Sequence, residues 1–223
     1  MQAGNAHYRK ADDLPEAIPV FPLSGALLLP GGRMPLNVFE PRYLQMVEDA
    51  IGDTRLIGMI QPRLDGARRA DGEPELAPVG CIGRIVSWTE TGDGRLLVAL
   101  HGVARFRLFG EIASRLPYRR CRVAVFAEDL DENAGVAEVD RDALLAAFRN
   151  FLDANGMETD WESVSRAENG TLVNALSMMA PYGAAEKQAL LEAPDLKTRA
   201  ETLVALTEIA LARGDGDNAG TLQ

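Results

Sequence analysis

Apolar residues along this chain change rhythm once, near residue 139. Before that point they run in short blocks and alternations; after it they recur at three- and four-residue intervals. The first block is IPVFPLSGALLLPGG, in which Val20, Phe21 and Leu23 lead to Leu27, Leu28 and Leu29 and then to the punctuating Pro30-Gly31-Gly32. Pro35 and Pro41 exclude a central ladder or a helix interior at their own positions. Pro41 fits the first turn of a short helix carrying Tyr43, Leu44, Met46, Val47 and Ile51, with Gly52 at its stop. LIGMIQ reads as a strand, and 62–78, rich in glycine and proline, as a solvent-exposed loop. CIGRIVSW, RLLVALHGV and ARFRLF follow as strands, with TETGDG supplying turn chemistry between the first two. In ARFRLF, Ala104, Phe106 and Leu108 alternate with Arg105, Arg107 and Phe109; in YRRCRVAVF, Cys121, Val123 and Val125 point inward and Arg120 and Arg122 outward. Many short strands with bulge-permissive glycines predict a small mixed β-barrel over 18–126 rather than a parallel sheet.

From 139 onward the pattern is helical. Leu144, Leu145, Phe148, Phe151 and Leu152 form one face, with Asp140 as cap and Gly156 as stop. Trp161 opens a loop or short turn. Leu172, Val173, Leu176 and Met179 make a second stripe, capped by Asn169 or Thr171 and ended by Pro181. AAEKQALLEA is a short helix. Asp195 caps a last one, in which Leu196, Ala200, Leu203, Leu206 or Thr207, and Ala210 repeat, with Gly214 as its stop. The organisation predicted is therefore α+β: a mobile or loosely docked arm over 1–17, the barrel over 18–126, a connection over 127–138, a helical subdomain over 139–213 and a frayed tail over 214–223. The helical stripes expose more apolar surface than three short helices bury among themselves, so they are expected to dock on the barrel wall with a groove beside the junction.

Charge supports the boundary. The chain of 223 residues carries a net charge of −10. Residues 1–125 hold 16 basic and 14 acidic side chains, and residues 126–223 hold 7 and 19. That balance argues against a general binder of nucleic acid or of anionic membranes. No apolar run approaches a membrane span, and the polar start does not read as a secretory signal, so the expectation is a cytoplasmic protein. Cys81 and Cys121 sit in strand contexts and read as buried thiols, although a pairing between neighbouring strands is open. Catalytic chemistry is missing from the pattern. No Gly-Lys dipeptide supports a phosphate-binding loop, His7 and His101 are isolated, and Ser177 near Lys187 reads as a packed helix residue. No cofactor or metal is called for.

The segments IPVFPLSGALLLPGG, PLNVFEPRY, LIGMIQP, VGCIGRIVSW, GDGRLLVALHGVARFRL and AEKQALLEAPDLKTRAETL, in this order, resemble the substrate-binding amino-terminal domain of Lon proteases, in its stand-alone bacterial form. The resemblance covers about residues 18–212. It implies a PUA-like barrel followed by helices, a distant likeness to cereblon, and a non-catalytic role in recognising substrate. The implied partners are unfolded or extended polypeptide segments, including a protease or chaperone acting in trans.

Two surfaces are candidates for the contact. One is a cleft between barrel and helices framed by Phe39, Tyr43, Trp88 and Tyr182, with Arg42 beside it. The other is the apolar edge of the Leu27–Pro30 segment, which could offer backbone groups and side-chain pockets to an extended peptide, although Leu27, Leu28 and Phe39 each also read as core. The alternative partner is RNA, for which Arg105, Arg107, Arg115, Arg119, Arg120 and Arg122 form a locally basic stretch. Glu186 is expected to meet the next helix or the barrel, and Gln188 to hydrogen-bond across the junction.

Overall fold

The computed structural model describes residues 1–219, with side chains through Ala212. Eight strands and six α-helices are present among them. A two-residue hairpin of β1 (Gln2–Ala3) and β2 (Ala6–His7) precedes the main sheet. That sheet contains β3 (Ala17–Pro22), β4 (Arg33–Val38), β5 (Leu56–Pro62), β6 (Leu76–Glu90), β7 (Leu96–Ile112) and β8 (Arg120–Val125). Its order is β4-β7-β6-β5-β3-β8, and β8 also pairs with β7, so five strands are joined in a closed circuit with β4 added at one side. Only β3 and β5 run parallel. Register shifts interrupt β6–β7 and β7–β8, the local bends that let two long strands curve.

The helix α1 (Pro41–Gly52) has Pro41 in its first turn and lays the fully buried Met46 and Val47 against the sheet. The helices α2 (Arg141–Ala154), α3 (Trp161–Arg166), α4 (Asn169–Met179), α5 (Ala184–Glu192) and α6 (Leu196–Ala219) follow. Asp140 caps α2 through the Ala143 amide (3.0 Å), and Asp195 caps α6 through Thr198 (2.7 Å). At α4 the cap position falls on Glu168 instead, because Asn169 is drawn into bonds with Arg141 and the Val136 carbonyl. Trp161 begins a helix rather than a loop, since Asp160 accepts from the amides of Glu162 and Ser163. The helix α6 runs through Gly214, beyond its expected stop; the end of the tail, 220–223, lies outside the described residues.

Two cores result. One lies within the sheet, around Ile18, Val20, Ile82, Phe106 and Cys121. The other is shared between sheet and helices and joins Leu28, Leu29, Ile85 and Leu100 to Leu144, Val173, Leu190 and Leu203. The expected apolar interface between the halves is therefore a core in its own right. Segment 1–17, expected as a mobile or loosely docked arm, is firmly docked: Ala3, Tyr8 and Leu14 are buried in the sheet core, and the Met1 ammonium donates to the Leu130 carbonyl (2.7 Å). Burial of three apolar side chains outweighs the ordering cost that a segment without periodicity suggests.

The polar seam between the halves is built mainly by α5 and the start of α6. Gln188 donates to the Val79 carbonyl (3.1 Å) and accepts from Gln61, which also donates to the Ala184 carbonyl (3.0 Å). Lys187 donates to the Gly25 carbonyl (3.0 Å). Gln188 thus bridges the junction as expected, whereas Glu186 makes no side-chain hydrogen bond to the next helix or the sheet among the described residues.

Candidate functional site

The side chains singled out in the sequence do not converge. Leu27 and Leu28 are buried, not presented at an edge. The reason is Gly102 in β7: its amide donates to the Gly32 carbonyl and its carbonyl accepts from Gly31, both at 2.9 Å. A side chain at Gly102 would strike the Leu29 carbonyl at 2.0 Å, so only glycine lets 27–32 lie flat against β7. Tyr43 is buried against Phe21, with ring centroids 4.2 Å apart. Arg42 covers its ring and pairs with Glu40 and Glu73 beside a cavity of about 670 Å³ that also meets Arg69, Glu111 and Arg119. Phe39 (60% exposed) sits under Arg95 and Trp88 (40% exposed) under Arg55; neither lines that cavity or the groove that holds Tyr182.

The arginine stretch is also divided. Arg105 is 1% exposed and bonds Asp129 through Nε and Nη2 at 2.8 Å each, while Nη1 reaches the carbonyls of Leu191 and Ala193. Alternation placed it on an outer face, but the turn 127–130 and the α5–α6 connection cover that face. Arg119 is held by Glu111 and donates to the Pro74 carbonyl (2.7 Å). Arg107, Arg120 and Arg122 remain on the outer side of the β7–β8 pair, where the register sets them opposite Ala124, Ile112 and Gly110. Arg115 is exposed in the turn between those strands.

A cavity of about 640 Å³ does lie at the junction, as expected, but it is framed by Pro30, Gly32, His101, Asn174, Met178 and Arg199. Arg199 is 3% exposed. It donates to the Leu190 carbonyl and Asn174 Oδ1 at 3.0 Å each, and makes no salt bridge among the described residues. Burial and the nearby Arg105 charge pull its guanidinium down to about 10. Burial likewise pushes the free Cys121 thiol up to about 12 and raises that of Cys81, so neither is a ready nucleophile.

The surface best formed for contact is an apolar groove of about 420 Å³ among α2, α4 and α6. From α2 come Leu144, Ala147, Phe148, Phe151 and Leu152, one stripe at helical spacing. Leu176 and Met179 come from α4; Leu203, Val204 and Thr207 come from α6. The two ends of the groove have local causes. At the end of α2, Gly156 takes a left-handed φ of 61°, the Met157 amide donates to the Leu152 carbonyl (3.0 Å) and the Gly156 amide to Asp153 (3.3 Å). This reversal turns Met157, Glu158 and Thr159 back onto the groove. At the end of α4, Ala180 leaves helical geometry before Pro181, and Tyr182 crosses to α6. The Thr207 hydroxyl donates to the Leu203 carbonyl (2.7 Å), so the Tyr182 hydroxyl donates to Thr207 Oγ1 (2.8 Å) and pins the loop. Burial raises the Tyr182 phenol, keeping it a donor.

Met179 is 79% exposed and Met157 45% exposed, although the groove beside them is apolar. Flexible thioethers at the mouth of an apolar groove adapt to varied side chains and do no acid–base work. Among the described residues no three histidine, cysteine, aspartate or glutamate side chains group as a metal site, and no helix is long and apolar enough to cross a membrane. Sequence periodicity read the α2 and α4 stripes, Met179 among them, as faces that dock on the barrel; that part of them stays open was not legible in the pattern.

Comparison with known proteins gives the arrangement its relatives. The family model of the ATP-dependent protease La (LON) substrate-binding domain matches residues 17–208. Lon protease 2 of Myxococcus xanthus is 30% identical over 202 residues, covering 87% of this chain and 24% of that protein. The Lon protease of Anaeromyxobacter dehalogenans is 27% identical, covering 87% and 23%. The chain thus spans about a quarter of the length of these relatives. Among solved structures, a Lon N-terminal domain protein from Xanthomonas campestris superposes with a TM-score of 0.61 at 24% identity, covering 85% of this chain and 97% of that one. The N-terminal domain of a Mycobacterium avium complex Lon protease does so at 0.61 and 17% identity, covering 86% and 98%. With a sheet followed by helices, and a family match running from the first strand of the main sheet into α6, this chain belongs to the Lon substrate-binding domain family.

Proposed function

We propose that this domain is a non-catalytic recognition module for unfolded or extended polypeptide segments, and that the groove among α2, α4 and α6 is where they seat. The observation that carries this reading is the groove itself: apolar, open, lined by Phe148, Phe151 and two exposed methionines, with Glu158 as its one carboxylate. Such a surface binds side chains by removing them from water and has no group placed to cleave them. The family description, a substrate-binding domain of a protease, supports the same assignment, because a protease's substrate is polypeptide. The closed strand circuit supports a PUA-like β-barrel as the platform beneath the helices.

The test is titration of the purified chain with fluorescent peptides of apolar sequence and with a reduced, unfolded protein. Saturable binding with a Kd of about 10 μM, weakened at least tenfold by Met179→Asp while the melting temperature holds, supports the reading. Absence of saturable binding across several unfolded clients overturns it. So does an unchanged Kd in the Met179→Asp protein, which would move the site elsewhere.

A further inference from the structure

The charges around the groove say more about the occupant than its apolar lining does. Between residues 139 and 212 the chain has twelve carboxylates and six cations. Every one of the six cations is engaged. Arg141 donates to the Val164, Ser165 and Ala167 carbonyls and to Asn169. Lys187 is spent on the Gly25 carbonyl and Arg199 is buried. Arg166 pairs with Glu162, Lys197 with Glu201, and Arg149 lies 4.6 Å over the Trp161 ring. The carboxylates nearest the groove are in the opposite condition. Glu158 lines it and is exposed. Glu208 is exposed on α6, one turn beyond the lining residue Val204 and rotated from it by only about 40°. Neither makes a salt bridge among the described residues.

An apolar groove with unpaired carboxylates on two of its sides, and no uncommitted cation between residues 139 and 212, favours one kind of segment. We propose that the groove selects apolar stretches flanked by lysine or arginine, with Glu158 and Glu208 meeting the flanking cations. This rests on the reading of the groove as the polypeptide site. The apolar side chains supply the affinity, and the flanking charges supply the choice among clients. At physiological salt the field of an exposed carboxylate reaches about 8 Å, so it acts on residues next to the seated stretch and not on the client as a whole. A segment of the same apolar sequence flanked by glutamates meets like charge at both ends.

The experiment uses the full chain and two fluorescent peptides with one apolar centre, flanked on both sides by lysines or by glutamates. Fluorescence anisotropy is read at low and at raised salt. The lysine-flanked peptide is expected to bind about fivefold tighter at low salt, with the gap closing as salt rises. Glu158→Lys combined with Glu208→Lys, both exposed positions, should reverse the preference with an unchanged melting temperature. Met179→Asp should weaken both peptides. Equal binding of the two peptides, or a lysine preference that survives the double charge reversal, overturns the charge selection while the polypeptide reading stands. If neither peptide binds saturably, both fall.

Discussion

Replacing Asp129 by asparagine should loosen the joint between sheet and helices more than any other single polar change. Asp129 accepts the Arg105 backbone amide, Nε and Nη2, each at 2.8 Å, and the two side chains are 8% and 2% exposed. Burial alone would lower the Arg105 guanidinium, and the Asp129 carboxylate more than offsets that, holding it above its ordinary value. The substituted amide would keep an acceptor of the right size but not the charge, leaving a buried guanidinium without a counterion. Breaking a buried pair from one side costs about 3 kcal/mol or more. Against a domain stability of about 10 kcal/mol this is a large fraction. In urea, with a slope of about 2 kcal/mol per molar, the midpoint should fall by about 1.5 M. Arg105 also holds the carbonyls of Leu191, Ala193 and Pro194 at the α5–α6 connection, so amide exchange across residues 190–200 should quicken ahead of global unfolding. The double replacement Arg105→Met with Asp129→Leu should recover much of the loss, since neither charge then lies buried alone. A midpoint shift below about 0.5 M in Asp129→Asn, with exchange over 190–200 unchanged, would refute the claim that this pair secures the junction.

Other consequences follow from the same geometry. Gly102→Ala places a Cβ 2.0 Å from the Leu29 carbonyl oxygen, a backbone contact that cannot yield, and should cost about 3 kcal/mol or prevent folding, read from soluble yield and thermal melting. Burial and its hydrogen bond to Asp49 (2.7 Å) push the Tyr118 phenol from 10.0 up to about 12. Because the folded protein holds that proton to higher pH than the unfolded chain, the contribution is complete below pH 10 and is lost as pH rises toward 12. Tyr118→Phe should cost about 1.5 kcal/mol at neutral pH and flatten the alkaline decline, followed by urea midpoints across that range and by phenolate absorbance. Arg120→Glu with Arg122→Glu, on the outer face of β7–β8, should leave polypeptide affinity unchanged in the same anisotropy titration, because no residue of β7 or β8 lines the helical groove; a loss above threefold would contradict the assignment of the site.

Local chemistry made much of this protein readable from its residues. Pro41 in the first turn of α1, the caps at Asp140 and Asp195, the stop at Gly156 and the inward Cys121 and Val123 all depend on neighbours within a few positions, and all appear as the pattern implies. Gln188 was legible through the resemblance in the AEKQ segment, and it does reach the Val79 carbonyl across the junction while also donating to Glu192 of its own helix. What the chain alone could not show is which faces a second layer covers. Alternation along β7 turns Arg105 away from the sheet core but is silent about the α5–α6 connection and the turn 127–130 that close over it. The run Leu27–Leu29 looks like an edge until Gly102, far along the chain, offers a backbone without a side chain to lie against. Residues 1–17 have no period, yet Ala3, Tyr8 and Leu14 each find a place in the sheet core. The groove is the same kind of fact. Its stripes on α2, α4 and α6 are each written locally as apolar, but whether three apolar stripes close into a core or part to leave an opening is set by where the turns at Gly156 and Pro181 aim the helices. Periodicity fixes which face of a helix avoids water; only packing decides whether another part of the chain arrives to cover it.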